Sequence, residues 1–181
     1  MKITVKNATP VLNTTRLLLR PVKYEDIYPV HDLWMRDEEV SRYMFWKASS
    51  DINKTKEFIE YELENTENDK WNRWFIELTE TGELIGTCLI FYNNEENNWD
   101  ISYNLARKYQ GHGYITEAMT CVLKYAHESL KIKECIAIHA VENPASGKVI
   151  ERLGFTYEKD VPYECSGGEI KTTGRYYRLV F

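Results

Sequence analysis

Two glycines separated by one residue, Gly111 and Gly113, mark the stretch of this sequence where chemistry is first expected. Glycine adopts positive φ angles readily and lets another molecule approach the backbone closely. A helical apolar pattern begins directly afterwards, so the free N–H groups of the helix start point back at the glycines. A strand end, a glycine loop and a helix N-terminus together form an anion site, for which phosphate is the commonest ligand.

Two well-known phosphate motifs do not fit this loop. A P-loop requires a Lys directly after its second glycine, where this chain has Tyr114. A dinucleotide fingerprint requires a third Gly or Ala at position 116, where this chain has Thr116. The remaining Gly-x-Gly pattern, taken alone, is also compatible with an ordinary turn.

The elements that must position the loop follow from hydrophobic periodicity. Residues 99–105 alternate as a half-buried strand should, and residues 134–141 form an apolar strand on the far side of the loop. The helix between them is predicted by one apolar stripe, made of Ile115, Ala118, Met119, Val122, Leu123 and Ala126. The next helix starts at Asn143 and Pro144, an N-cap type followed by a first-turn type, and ends at Gly154. The loop therefore belongs to a β–α–β unit.

The rest of the chain supplies further strands and helices without a linker between them. A helix is predicted from Asp26 to Trp34, and another starts near residue 49. Additional strands are predicted at residues 17–19, 74–78, 84–92, 155–158 and 174–181.

Three segments resemble the GNAT N-acetyltransferase superfamily, most closely its RimJ/RimL branch, which acetylates N-terminal amines of ribosomal proteins. They are similar to the opening strand, the acetyl-CoA loop and the closing motif of that branch, and they are residues 14–21, 107–118 and 143–155. The resemblance implies an α/β (α+β mixed) fold: a single GNAT domain over residues 1–181. Its central sheet would be mixed, twisted and splayed, with helices on both faces.

The resemblance also implies acetyl-CoA as co-substrate. The loop would cradle the pyrophosphate, and the preceding strand would pair with the pantetheine arm and offer a backbone oxyanion donor. The cofactor-binding residues implied in this way are Tyr103, Asn104, Leu105, Lys108, Gln110, Gly111, His112, Gly113, Tyr114, Ile115, Thr116 and Asn143. A lysine at position 108 would meet phosphate as a point charge.

Transfer to an amine needs a base, because an amine with a pKa of roughly 8 to 10 is mostly protonated at neutral pH. We expect Asp100 to be that base, since the branch commonly has a Glu there and burial beside Trp99 would raise its pKa. The alternative is an exposed strand acid without a catalytic role. The resemblance adds Asn143 and Ser146 as catalytic residues, the first at the tetrahedral intermediate and the second as an acid for the thiolate. Both are equally explained as supports of a helix start.

One position departs from many GNAT enzymes, which carry a Tyr acid four residues before the glycine of the closing Gly-Phe pair. This chain has Ile150 there, an absence that the RimJ/RimL branch shares. The thiolate is then protonated by Ser146, by water, or without help from the enzyme.

Composition excludes several other classes of protein. A length of 181 residues, with 43% hydrophobic and 28% charged residues, is typical of one soluble globular domain. The net charge of −5 argues against general nucleic-acid binding, and no apolar run suits a signal peptide or a membrane span. Four scattered Cys, without paired Cys or His spacing, indicate a reduced cytoplasm and no metal site.

The sequence thus predicts a cytoplasmic, acetyl-CoA-dependent N-acetyltransferase that works by direct transfer in a ternary complex, as a monomer or homodimer. The acceptor is a primary amine, either a protein or peptide N-terminus or a small amine; no nucleic acid or membrane partner is expected. Residues 43–46 and a loop at residues 162–168 are expected to form the cleft walls. The alternative is a non-catalytic acyl-CoA-binding or sensing module, which would lack groups that handle protons.

Overall fold

The computed structural model describes residues 9–181. Residues 1–8 lie outside the described residues. They belong to the predicted domain, and the expectation that the chain starts without a signal peptide also falls on them. Eight strands form one sheet in the order β1-β2-β3-β4-β5-β6-β8-β7. These strands are β1 (Leu12–Asn13), β2 (Leu17–Arg20), β3 (Trp71–Leu78), β4 (Leu84–Asn93), β5 (Asn98–Leu105), β6 (Glu134–Ala140), β7 (Thr156–Cys165) and β8 (Ile170–Val180).

Five α-helices accompany the sheet in the described chain: α1 (Ile27–Val30), α2 (Glu38–Ser41), α3 (Ile52–Glu64), α4 (Tyr114–Glu128) and α5 (Pro144–Arg152). α1 continues into a wider π turn (His31–Met35), so the helix predicted from Asp26 to Trp34 is present with mixed winding. Within residues 9–181, no helix combines the length and the apolar character needed to cross a membrane.

Alternating side chains of β3 show how helices come to lie on both faces of the sheet. Trp74 and Ile76 are buried in one cluster with Met119 of α4. Phe75, between them, is buried in a second cluster with Ile59 of α3. Successive strand residues point to opposite faces, so the sheet carries two separate cores. The predicted fold class, a mixed sheet between two helical layers, is confirmed.

The sheet opens between its two central strands. β5 and β6 run parallel and pair at Trp99 with Cys135 and at Asp100 with Ile136. Past Asp100 the two strands separate, whereas β5 stays paired with β4 as far as Leu105. Among the described residues, no strand pairs with the other edge of β5 beyond Asp100, so its backbone groups there are available to a ligand.

A glycine in β4 allows this region to form. The register of β3 and β4 shifts at Ile76, which bulges β4 at Ile85. The next residue, Gly86, lies so close to β5 that an added Cβ would overlap the carbonyl oxygen of Asn104. Gly86 therefore sets how closely β4 can support the free part of β5.

The C-terminal hairpin differs from its prediction. Residues 162–168 were expected to be a loop, but Pro162 to Cys165 belong to β7, and the turn is confined to residues 166–169. The strand predicted at residues 155–158 is correspondingly longer. β7 is the outer strand of the sheet, where a proline without an N–H is tolerated, and this is why Pro162 does not end it.

Candidate active site

The separation of β5 and β6 creates a cleft of about 400 Å³. Its floor is formed by these two strands, and one wall is formed by the start of α5. All three residues predicted to be catalytic, Asp100, Asn143 and Ser146, line this cleft although they come from two distant segments. The structure therefore brings the predicted set together.

Asp100 lies at the fork of the sheet, at the last pair before the strands separate, and is only 4% exposed. The alternative interpretation, an exposed strand acid, is wrong. The side chain of Asn93 donates a hydrogen bond to Asp100 Oδ2 (3.1 Å), and the N–H of Ile101 donates to Oδ1 (2.7 Å). Burial raises the pKa of Asp100 to about 7, although these two hydrogen bonds act in the opposite direction. Such a carboxyl group can accept a proton near neutral pH.

The start of α5 is organised by Asn143 and Ser146. Asn143 is the N-cap, and its side-chain oxygen accepts from the N–H of Ser146 (3.3 Å), so the capping interpretation is confirmed. The hydroxyl of Ser146 lies 2.9 Å from the hydroxyl of Tyr103, which crosses the split from β5 and also lies 3.2 Å from the Ser146 carbonyl oxygen. Burial raises the pKa of Tyr103 to about 12, so this phenol keeps its proton. Sequence reasoning gave Tyr103 a backbone role and missed its side chain.

Ile150 and His139 also lie near this wall of the cleft. Ile150, at the position where many GNAT enzymes carry Tyr, is buried in the core. His139 lines the cleft, and its Nδ1 lies 2.8 Å from the carbonyl oxygen of Ala140. Burial lowers the pKa of His139, which is therefore neutral near pH 7. The ring packs so tightly on Gly147 that an added Cβ there would lie 2.7 Å from its Nε2.

A strap between distant segments borders the mouth of the cleft. The N–H groups of Ser166 and Gly167, in the β7–β8 turn, donate to the carbonyl oxygens of Met44 (2.7 Å) and Phe45 (3.2 Å). The ring of Phe45 lies 6.0 Å from that of Tyr163 on β7. The strap is residues 44–45 with residues 166–167. The predicted cleft wall at residues 43–46 is confirmed for residues 43–45, which line the cleft, whereas Trp46 packs against the second core.

The glycine loop has the backbone geometry of an anion site. Gly111 and Gly113 have φ angles of +80° and +77°, in the left-handed region where side chains are strained. Gly113 is the N-cap of α4, and no side chain in residues 9–181 caps that helix start. The N–H groups of residues 114–116 thus have no partner within the helix and remain available to an anion. An added Cβ at Gly111 would meet nothing within 4 Å in the described chain, so the loop surface is open.

The loop's own cations are engaged away from the glycines. Lys108 Nζ lies 4.6 Å from the centroid of the Tyr109 ring and 3.7 Å from a carboxylate oxygen of Glu83, on the β3–β4 turn. Arg107 forms an ion pair with Asp37. Lys108, which the sequence predicts to contact the phosphates, is therefore directed at Tyr109 and Glu83 in this structure.

Arg16, from the turn between β1 and β2, lies beside Gly113. Its Nε donates to Glu117 Oε2 (2.7 Å), and its Nη1 donates to the carbonyl oxygen of His112 (3.2 Å). Its guanidinium lies 4.5 Å from the centroid of the Tyr114 ring. Thr14 and the N–H of Arg16 both donate to the other oxygen of Glu117. The contact joins two of the three segments that resemble the GNAT family, residues 14–21 and 107–118, and the sequence alone does not predict it.

The side chains of three other residues predicted to bind the cofactor contact the protein itself. Asn104 accepts a hydrogen bond from Thr87 through its side-chain oxygen (2.8 Å), and its Nδ2 has no hydrogen-bond partner in residues 9–181. Gln110 donates to the carbonyl oxygen of Leu105 (3.2 Å), and the side chain of Ile115 is buried in the core. A contribution of Ile115 to a ligand would therefore come from its backbone. No three His, Cys, Asp or Glu side chains of residues 9–181 converge on a potential metal site.

Comparison with known proteins decides the family. The profile of the Acetyltransferase (GNAT) domain matches residues 16–156, from the start of β2 to the start of β7. This chain belongs to the GNAT acetyltransferase family. The resemblance drawn from the three sequence segments is confirmed, and the GNAT domain is that of an N-acetyltransferase.

Related proteins support the same conclusion over most of the chain. The uncharacterized N-acetyltransferase p20 of Bacillus licheniformis is 32% identical over 148 residues, which cover 81% of this chain and 83% of p20. The microcin C7 self-immunity acetyltransferase MccE, solved with acetyl-CoA and AMP, has a TM-score of 0.82 at 22% identity, covering 93% of this chain and 94% of MccE. RimL, the ribosomal L7/L12 alpha-N-protein acetyltransferase solved with coenzyme A, has a TM-score of 0.81 at 18% identity, covering 97% and 98%. At these identities the two structures show a shared fold.

Proposed function

We propose that this GNAT domain transfers an acetyl group from acetyl-CoA directly to a primary amine within a ternary complex. The observation that carries the proposal is the meeting of Asp100, Asn143 and Ser146 in one cleft, beside a strand edge that is free to bind a ligand. The glycine loop and the start of α4 lie at the end of that same strand. An anion site and a proton acceptor are thus joined by one extended backbone segment.

The residues present fit acetyl-CoA. The open, positive-φ loop and the N–H groups of residues 114–116 suit a pyrophosphate, and the free edge of β5 suits an extended pantetheine arm. When bound, acetyl-CoA supplies an activated carbonyl for the amine to attack. MccE and RimL were solved with acetyl-CoA and coenzyme A respectively, which supports this choice of co-substrate for the shared fold. A backbone N–H near Asn104 and Leu105 would stabilise the developing oxyanion.

Asp100 is the proposed base. Its pKa of about 7 lies much closer to that of an amine than the pKa of an ordinary Asp, so proton transfer is less uphill. Its position at the fork places it at the floor of the cleft. A bridging water can span the remaining distance to the amine nitrogen.

Ser146 is the proposed proton donor to the departing sulfur. The Tyr103 phenol can donate to Ser146 Oγ, which leaves the serine proton free to point into the cleft. Asn143 keeps Ser146 in place through the helix cap. Ile150, an aliphatic residue, cannot act as an acid, so this wall of the cleft depends on Ser146 and the hydroxyl behind it.

The acceptor enters, on this proposal, through the strapped mouth. Carboxylates of Glu95, Glu96 and Glu164 line it, together with the rings of Phe45 and Tyr163. Among the described residues that line the cleft there is no Lys or Arg, which favours a positively charged amine. Both a protein N-terminus and a small amine meet this requirement. RimL, by its name, acts on a ribosomal protein, and this supports the first choice.

We further propose a cytoplasmic location, because the four cysteines are free thiols and three of them are buried. Assembly as a monomer or homodimer stays a prediction.

A binding experiment followed by a turnover experiment tests the function. CoA and acetyl-CoA should each raise the melting temperature in a saturable way, and free thiol should appear when acetyl-CoA and an amine are mixed with the protein. Binding without thiol release across peptide and small-amine acceptors would instead support the non-catalytic acyl-CoA-binding module. Absence of binding at millimolar ligand would contradict both.

A further inference from the structure

We propose that Arg16 supplies the positive charge that meets the pyrophosphate of CoA at the glycine loop. The inference rests on the proposed function, because it takes the loop to be the cofactor's phosphate site. It assigns to a residue about one hundred positions away in the chain the role that the sequence suggested for Lys108.

The cations of the loop itself are directed away from Gly113. Arg107 and Lys108 precede the glycines, but their side chains extend to Asp37 and Glu83 on other segments. A pyrophosphate at the helix start would then meet neutral N–H groups and the partial charge of the helix dipole. The binding of a doubly charged group is usually reinforced by a full positive charge. Arg16 is also ion-paired, to Glu117, but this pair holds its guanidinium beside Gly113.

The Arg16 side chain lies directly against the loop. Apart from the chain neighbours of Gly113, its Nη2 is the one heavy atom of the described residues that an added Cβ at Gly113 would approach within 4 Å, at 3.7 Å. Nε and Nη1 already donate to Glu117 and His112, whereas no hydrogen bond of Nη2 to residues 9–181 is found. The side chain is 45% exposed, so a ligand at the loop surface can reach the unused donors.

The position of Glu117 beside the proposed phosphate site is explained by its contact with Arg16. Glu117 lies in the first turn of α4, where a free carboxylate would repel a bound phosphate. Burial alone would raise the pKa of Glu117, but the hydrogen bonds from Thr14 and Arg16 outweigh that effect and lower it. The ionised Glu117 therefore forms an ion pair with Arg16 and is not free to repel the phosphate. The Tyr114 ring contacts the guanidinium from a second side. Together they fix a normally flexible arginine next to Gly113.

The experiment measures CoA affinity calorimetrically for the wild type and for Arg16→Gln. Loss of a charge-assisted contact to phosphate should weaken CoA binding by about 10- to 100-fold. The affinity that remains should fall less steeply with salt, because one screened charge pair is gone. Arg107→Gln, which removes an exposed arginine paired with Asp37, is the matched control and should stay within about twofold of the wild type. 3′-Dephospho-CoA should show the same loss as CoA, since it keeps the pyrophosphate.

Glu117→Gln separates charge from loop shape. This variant keeps the positive charge of Arg16 and removes the neighbouring negative charge, but it loosens the guanidinium, so CoA affinity should fall by clearly less than in Arg16→Gln. A loss in Glu117→Gln as large as that in Arg16→Gln would overturn the proposal and make the ion pair a support of the loop. An effect seen with CoA but absent with 3′-dephospho-CoA would also overturn it, by moving the contact to the 3′-phosphate. If the wild-type protein binds no CoA at all, the proposed function itself fails, which is a different result from any of these.

Discussion

Replacing Asp100 with Asn should remove the pH dependence that this carboxyl group gives to turnover. With a pKa of about 7, Asp100 is about nine-tenths ionised at pH 8 and about one-tenth ionised at pH 6. Turnover that needs the carboxylate should then be about tenfold slower at pH 6 than at pH 8. Asn cannot accept the proton, so Asp100→Asn should lower kcat by about 10²- to 10⁴-fold at pH 8.

Asp100→Asn should lower turnover but raise the stability of the folded protein. From about pH 4 to pH 7 the folded protein keeps the Asp100 proton more tightly than the unfolded chain, whose group has the ordinary value of 3.8. The free energy of unfolding therefore falls as pH rises through this window and is constant above it. The difference between a pKa of about 7 and the ordinary value of 3.8 corresponds to roughly 4 kcal/mol at about 1.36 kcal/mol per tenfold change in proton affinity. Asp100→Asn should thus raise Tm at pH 8 by up to about 8 to 16 °C and leave Tm nearly unchanged at pH 4.

The assay is thiol release at saturating acetyl-CoA from pH 5.5 to 9, for both proteins and the same amine. The acceptor's own ionisation affects both profiles, so the ratio of wild-type to variant rate isolates Asp100. Asp160→Asn, an acid-to-amide change at an exposed residue of β7, is the control and should alter neither rate nor stability. A variant that keeps the acidic limb of the profile would refute the assignment of the base. A variant with the stability gain but with unchanged kcat would show a buried acid without a catalytic role.

Five other substitutions test the remaining geometry. Tyr103→Phe and Ser146→Ala should each lower kcat by about 10- to 100-fold without changing CoA affinity, and the double variant should be little slower than either single one if the two hydroxyls act as one unit. Gly113→Val should abolish CoA binding measured by calorimetry, because a side chain is strained at its φ of +77° and blocks the approach to the loop; full affinity would remove the loop from the cofactor site. Gly86→Ala should leave little folded protein by circular dichroism, because its Cβ would overlap the β5 backbone, and a normal melting curve would contradict that packing. Arg20→Ala should lower the free energy of unfolding in urea by about 3 to 5 kcal/mol, since it leaves Asp26 and Glu77 without their buried partner, yet the kcat of the folded fraction should not change.

Local patterns in the sequence predicted the elements that surround the site. The apolar stripe of α4 is long and regular, and five of its six members are at most 5% exposed while Ile115 is 7% exposed. The N-cap at Asn143 and the end of α5 could likewise be predicted, because helix caps depend on residues close together in the sequence. The splayed sheet came from the family resemblance, since no local residue pattern indicates where two parallel strands separate.

The missed features depend on contacts between distant segments. Arg16 and Glu117 are 101 residues apart, and nothing near either residue shows that they pair. The direction of Lys108 likewise depends on Glu83, which comes from the β3–β4 turn. The length of β7 was underestimated because its exposed residues alternate weakly and Pro162 normally signals a turn. Local sequence thus gives the elements, whereas the choice of cation at the loop is a tertiary property.

The way β5 and β6 meet has a mechanical consequence. Strands β1 to β5 and strands β6 to β8 are joined by the pairs of Trp99 and Asp100 with β6, and they share the first apolar core, in which Ile101 and Ala137 are both buried. The strap adds the backbone bonds from Ser166 and Gly167 to Met44 and Phe45. Backbone bonds of this kind contribute about 0.5 to 1.5 kcal/mol each, so the strap can part at small cost while the shared core holds the two halves of the sheet together. Opening of the strap would thus widen the cleft by a local movement, without unfolding of the sheet.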